Sequence, residues 1–222
     1  MNDRYIVAGA GTGTLVTNKL IRNTYILLSM TLLFSAFTAG ISTFLNIPLP
    51  GVFITLAIYF GLLYLTEKFS NRGLGLVFVF ALTGFLGLTL GPLLSFYIHQ
   101  IPNGSRMVMV AMGGTGTIFL GLSGYALTTR KDFSFMGAFL MAGILTAFVA
   151  GLAAYFFQLE GLSLAASAVF LLASSGVILW QTSRIVHGQE TNYISATVTL
   201  YVSIYNIFVS LLRLLNAFSG DD

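Results

Sequence analysis

The chain has 222 residues, 56% of them hydrophobic and 8% charged, with a formal net charge of +3 and a mean hydropathy of +0.90. Seven acids and ten bases are too few to coat a compact water-soluble surface, which excludes a soluble enzyme and a disordered tail alike. The absence of cysteine excludes disulfides, thiolate metal sites and cysteine nucleophiles, and ten bases scattered between apolar runs form no face for nucleic acid.

Residues 1–22 are rich in Gly, Thr and Asn and are expected to form a flexible cytoplasmic tail without a cleavable signal pattern. Within it, Tyr5 to Ala8 leads into Gly9-Ala10-Gly11-Thr12-Gly13, the opening of a dinucleotide-binding turn. Thr14 stands where the third glycine is needed, and an apolar run follows in place of a crossover helix and second strand, so no cofactor is expected.

Seven apolar runs then approach the roughly 20 residues needed to cross a hydrocarbon core about 30 Å thick. They cover 24–45, 47–66, 74–98, 107–127, 135–157, 162–180 and 196–215. In lipid every backbone polar group needs an internal partner, so runs of this length must be helical. The expectation is an all-α, seven-helix transmembrane domain at 23–216, between the tail at 1–22 and a short C-terminal tail at 217–222. Pro48 and Pro50 suit the first turn of the second helix, where an N–H is spare. Gly91-Pro92 should kink the third. The longest connection, 181–195, is too short for a soluble domain.

Lysine and arginine alternate with the spans. Arg4, Lys19, Arg22, Lys68, Arg72, Arg130, Lys131 and Arg184 fall on one side, and only Arg106 and Arg213 on the other. By the excess of basic residues in cytoplasmic loops, the N-terminus is inside and the C-terminus outside.

Several motifs suggest chemistry. Gly121-Leu122-Ser123-Gly124 in the fourth span spells the nucleophile motif of the rhomboid intramembrane proteases, but a serine nucleophile needs a nearby base. His99 and His187 are expected at opposite membrane faces, away from it. Small residues at four-residue spacing, Gly87 to Gly91, Gly113 to Thr117 to Gly121, and Ala147 to Gly151, are expected to let helices approach closely. Thr199, Ser203, Asn206, Ser210 and Arg213 share one face of the seventh span, and Ser167, Ser174 and Gln181 recur every seven residues on the sixth. These stripes are either interhelical glue or the lining of a hydrated path. No Asp, Glu, Lys or His falls in the middle of a span, so no catalytic or metal site is expected there.

Several ordered strings make the chain resemble the Bax inhibitor-1 family, in particular its bacterial YccA-like branch. They are LIRNTY at 20–25, TGFLG at 83–87 with Gly91-Pro92, LTTRKDFSF at 127–135, SSGVILWQTSRIVHGQETNY at 174–193 and LYVSIYNIFVSLL at 200–212. The resemblance runs nearly end to end. It implies a seven-helix fold with the last helix central, in a bacterial inner membrane. It also implies a modulator of the membrane-anchored ATP-dependent protease FtsH, with that protease and its associated membrane complex as partners. Many family members place a facing pair of aspartates on the sixth and seventh helices as a pH latch on a calcium leak. The matching positions here are Gln181 and Ser203, which do not ionise but have the groups to hydrogen-bond each other and hold the helices together.

Three readings follow. In the first, the protein restrains the protease as a slowly extracted competitor engaged through the tail, with Arg4, Lys19 and Arg22 near the membrane surface. The second is a leak for calcium or another cation along Gln181, Thr199, Ser203 and Asn206, lacking the pH latch. Intramembrane proteolysis by Ser123 is the third and rests on that serine alone.

Overall fold

The computed structural model describes residues 7–48 and 50–219. It is all-helical, with α1 (Val7–Phe44), α2 (Val52–Lys68), α3 (Gly73–Gln100), α4 (Gly104–Thr129), α5 (Gly137–Phe157), α6 (Glu160–Val186) and α7 (Tyr193–Ser219). A 3₁₀ turn, Ser134–Met136, leads into α5. Six of these helices, all but α2, are long and apolar enough to cross a membrane, as in a multi-pass membrane protein. At 17 residues α2 is the exception; it rises about 26 Å, a few ångströms less than the hydrocarbon core.

Three boundaries differ from the sequence expectation for identifiable reasons. Pro48 and Pro50 do not form the first turn of α2; they precede it, and Gly51 is its N-cap. The expected flexible stretch is helical from Val7 onward, and the glycines at 9–13 lie in that helix. Only residues 1–6 of the tail, Arg4 included, and 220–222 of the C-terminal tail fall outside the described residues. Finally, α6 runs six residues beyond Trp180, leaving only 187–192 to connect it to α7. The added turn holds Gln181, Thr182, Ser183 and Arg184, whose polarity ends the apolar run in the sequence while side chains among them find partners at the helix end.

Pro92 sits inside α3 and leaves the carbonyl of Leu88, four residues earlier, without its usual donor. Ser42 of α1 supplies one at 2.8 Å, and Thr43 donates to the Gly91 carbonyl at 3.2 Å. The break in the α3 ladder is therefore sealed by α1, as a low-dielectric surround demands. Beside it, Gly87 and Gly91 face the α1 backbone so closely that no side chain fits between them. The glycine expectation fails elsewhere: Gly113, Gly121 and Gly151 have open space where a Cβ would point, so they hold no helices together.

The core gathers on α7. Leu200, Tyr201, Ile204 and Ile207 pack with Leu28 of α1, Val79 and Leu82 of α3 and Ile178 of α6. α7 packs against α1, α2, α3, α4 and α6. Among the described residues α5 packs along α6 and the turn before it and meets α2 through the Phe53–Phe156 and Phe60–Phe148 ring pairs, both 5.8 Å between centroids, while α1 does not pack along α4. Large apolar side chains such as Leu33, Phe44, Phe53, Phe139 and Leu172 point outward, the arrangement expected when the surroundings are hydrocarbon.

Candidate polar site between the sixth and seventh helices

Asn192 starts α7. Its Oδ1 accepts from the backbone N–H groups of Ile194 (2.9 Å) and Ser195 (3.3 Å), which satisfies donors that a first helical turn leaves spare. Its amide donates to Asn71 at 2.9 Å, and Ser195 donates to Glu67 at 3.2 Å, so the α2–α3 and α6–α7 connections are tied together. The α4–α5 connection joins the same end. Ser183 of α6 donates to the Lys131 carbonyl at 3.0 Å and accepts from the Phe133 N–H at 3.0 Å. Asp132, fully exposed, is held below the usual carboxylate range by hydrogen bonds from the Ser134 hydroxyl and N–H.

Into this end folds Glu190. Its Oε1 accepts from the N–H groups of Thr191 and Asn192, both at 3.0 Å. Its Oε2 accepts from the Gln181 side-chain amide at 3.3 Å and pairs with Arg184 at 3.6 Å. The Arg184 guanidinium in turn lies 4.7 Å over the Trp180 ring. Gln181 is 1% exposed, yet among the described residues its Oε1 has no partner, and neither do the buried hydroxyls of Ser174, Ser123 and Thr24. Burying such atoms unpaired is costly, so these positions mark where the α1–α4–α6–α7 core is polar without being closed.

The expected latch between Gln181 and Ser203 is not formed. Gln181 is engaged by Glu190, and the Ser203 hydroxyl donates back to the Thr199 carbonyl of its own helix at 2.8 Å. Thr199 does the same to Ser195 at 3.0 Å, and Ser167 to Ser163 at 2.9 Å. A serine or threonine four residues after a carbonyl reaches it readily, so these three hydroxyls are satisfied along their own helices. Asn206 is half-buried and Ser210 buried. Arg213 is exposed and borders a separate cavity of about 570 Å³ that also takes in Glu160 and Gln158. Lys19 and Arg22 project from α1 into the surroundings.

Bonds between helices come instead from residues that the spacing argument did not single out. The Tyr201 hydroxyl, on a side chain 2% exposed, is 2.5 Å from Ser35 and donates to the Thr83 carbonyl at 3.3 Å, joining α7, α1 and α3. Tyr205 meets Thr89 at 3.1 Å, Tyr25 meets Thr182 at 3.5 Å, and Thr197 reaches the Thr24 carbonyl at 3.2 Å. Among the described residues the Ser123 hydroxyl has no hydrogen-bond partner, histidine included, and the His99 and His187 rings bond the Ser95 and Ser183 carbonyls four residues before them.

Residues 17–220 match the family model described as inhibitor of apoptosis-promoting Bax1. Over 210 residues, 95% of each chain, the sequence is 53% identical to the modulator of FtsH protease YccA of Escherichia coli strain K12. It has the same identity and coverage with the inner membrane protein YccA of Escherichia coli O6:H1. An uncharacterized membrane protein of Vibrio cholerae is 46% identical over 210 residues, 94% of each chain.

Proposed function

We propose that this chain, which belongs to the Bax inhibitor-1 family, is a bacterial inner-membrane protein that binds and restrains an FtsH-type membrane protease. The observation that carries the proposal is its 53% identity, over 95% of both chains, with a protein named for modulating that protease. In this reading all seven helices cross the bilayer, α2 by local thinning or snorkelling at its ends, with α7 as the hub. The N-terminus faces the cytoplasm, since eight of the ten basic residues then lie on that side.

The protease engages the N-terminal segment, where Arg4, Lys19 and Arg22 lie near the membrane surface, and pulls. Extraction is slow because α1 must first leave its seam with α3, breaking the Ser42–Leu88 and Thr43–Gly91 bonds in a medium with no water to replace them. A substrate that engages but yields slowly occupies the protease and spares other clients. The test is the degradation rate of a model membrane substrate by the protease in proteoliposomes, with and without the full chain. Degradation should slow, and deletion of residues 2–18 should restore its speed while leaving the bundle folded. An unchanged rate with the intact chain ends the regulatory reading; slowing that survives the deletion ends the role of the N-terminal segment.

A second reading, a cation leak along α6 and α7, is favoured by one feature: the Glu190 carboxylate stands at Gln181, where the buried oxygens of Gln181 and Ser174 lack partners. A calcium dye inside the same vesicles tests it. The leak reading requires flux that falls in Asn206→Leu, and a dye that stays dark removes it.

A further inference from the structure

One cavity, about 980 Å³, is a groove rather than a chamber, and it lies where α1 and α4 do not pack along each other. Ala36 and Gly40 of α1 form one lip, Met112 and Gly116 of α4 the other, and Tyr201 and Tyr205 of α7 lie at its floor. Phe119 closes it towards the basic end, where its ring stands 6.0 Å from Tyr25. At the far end it reaches Asn46 and His99, beyond the last turn of α1 and in the last turn of α3.

Two properties identify what fits. Along α1 the lining runs from Leu32 to Phe44, about 18 Å of helix, close to the roughly 15 Å depth of one leaflet's hydrocarbon. The groove therefore spans from a polar rim to about mid-membrane and opens sideways between two lipid-facing helices. The five hydroxyls in its lining, on Ser35, Thr43, Thr115, Tyr201 and Tyr205, are all engaged within the protein. Water or a hydrated ion gains little by entering such a space, whereas a hydrocarbon chain gives up nothing.

We propose that this groove is a binding site for one acyl chain of a phospholipid drawn from the leaflet opposite the basic end, with its headgroup beside Asn46 and His99. The site stands independently of any role in proteolysis. Gly40 and Gly116 have open space where a side chain would project, so leucines there fill the groove without displacing neighbours.

The test uses the full chain purified in mild detergent with palmitoyl-oleoyl phosphatidylethanolamine added, and native mass spectrometry to count bound lipid. The expected result is one retained lipid on the wild type and its loss from the Gly40→Leu, Gly116→Leu double variant, with an unfolding midpoint no lower than wild type. No retained lipid on the wild type, or equal retention by a folded double variant, overturns the proposal. Should the double variant not fold, Gly116→Cys in vesicles decides, since the chain has no cysteine of its own. Protection from a water-soluble thiol reagent supports a hydrocarbon-filled groove. Labelling as fast as at the exposed loop position Asn103→Cys shows a groove filled with water and overturns it.

Discussion

A single methyl group added at Gly87 should separate two helices, while the same group added at Gly121 should do the opposite of harm. At Gly87 a Cβ meets the main-chain carbonyl of Ser35 and the hydroxyl of Thr38. The Thr38 hydroxyl already donates to that carbonyl at 2.9 Å, and the carbonyl belongs to the α1 ladder and has no freedom to turn away. α1 and α3 must therefore move apart by on the order of 1 Å, forfeiting a quarter to a half of the dispersion attraction at that contact. Overpacking of this kind costs about 1–3 kcal/mol and the better helix propensity of alanine returns about 1 kcal/mol, a net loss of up to about 2 kcal/mol for Gly87→Ala. At Gly121 nothing stands within 4 Å, so only the propensity gain remains and Gly121→Ala is neutral or stabilising. The assay is unfolding of the purified chain in mixed micelles by increasing SDS fraction, followed by helical circular dichroism. A midpoint that moves the same way in both variants, or rises in Gly87→Ala, refutes the assignment of α1–α3 as the tight seam.

Other outcomes follow from named bonds. Tyr201→Phe removes two interhelical hydrogen bonds and should cost about 1 kcal/mol in the same assay, since bonds of this kind within membranes average roughly 0.6 kcal/mol each; an unchanged midpoint would mean Ser35 and Thr83 find other partners at no cost. Asn192→Ala removes the α7 cap and the tie to Asn71 and should cost about 1 kcal/mol, with Asn192→Ser recovering most of it. Because Ser134 lowers the folded pKa of Asp132, its contribution is fully present above the ordinary aspartate pKa and is lost as pH falls through the folded value. The midpoint difference between wild type and Asp132→Asn should accordingly be present at neutral pH and vanish in acid, and a difference that persists in acid rules the linkage out.

Much of the fold was legible because lipid imposes a strict rule: long apolar runs have one solution, and the structure places a helix on each of the seven. Periodicity failed where the partner of a residue depends on three-dimensional placement. Spacing put Thr199, Ser203 and Asn206 on one face correctly, but it could not show that the hydroxyls of Thr199 and Ser203 would turn back to their own helix. Glu190 falls in the connection between the sixth and seventh spans, and nothing local reveals that this short segment folds its carboxylate onto Gln181. For Tyr201 the signal was present in its position one turn before Tyr205 on α7, yet hydrogen bonds to helices more than a hundred residues away leave no trace in local sequence. Glycine spacing was equally ambiguous, because Gly87 and Gly113 look alike in the chain and differ only in what lies opposite.

The uneven sharing of neighbours among the helices has a mechanical consequence. α5 leans along α6 and touches α2 only through the Phe53–Phe156 and Phe60–Phe148 rings, whereas α1 and α7, the first and last helices, each press against several others. A load applied at either terminus therefore meets its greatest resistance at the outset, before any weakly held element can give way. α5, the least buried of the six long apolar helices, sits mid-chain, where neither end transmits tension to it directly. The fold is thus held most firmly at its first and last helices, like a rope spliced at both ends with its looser strand in the middle.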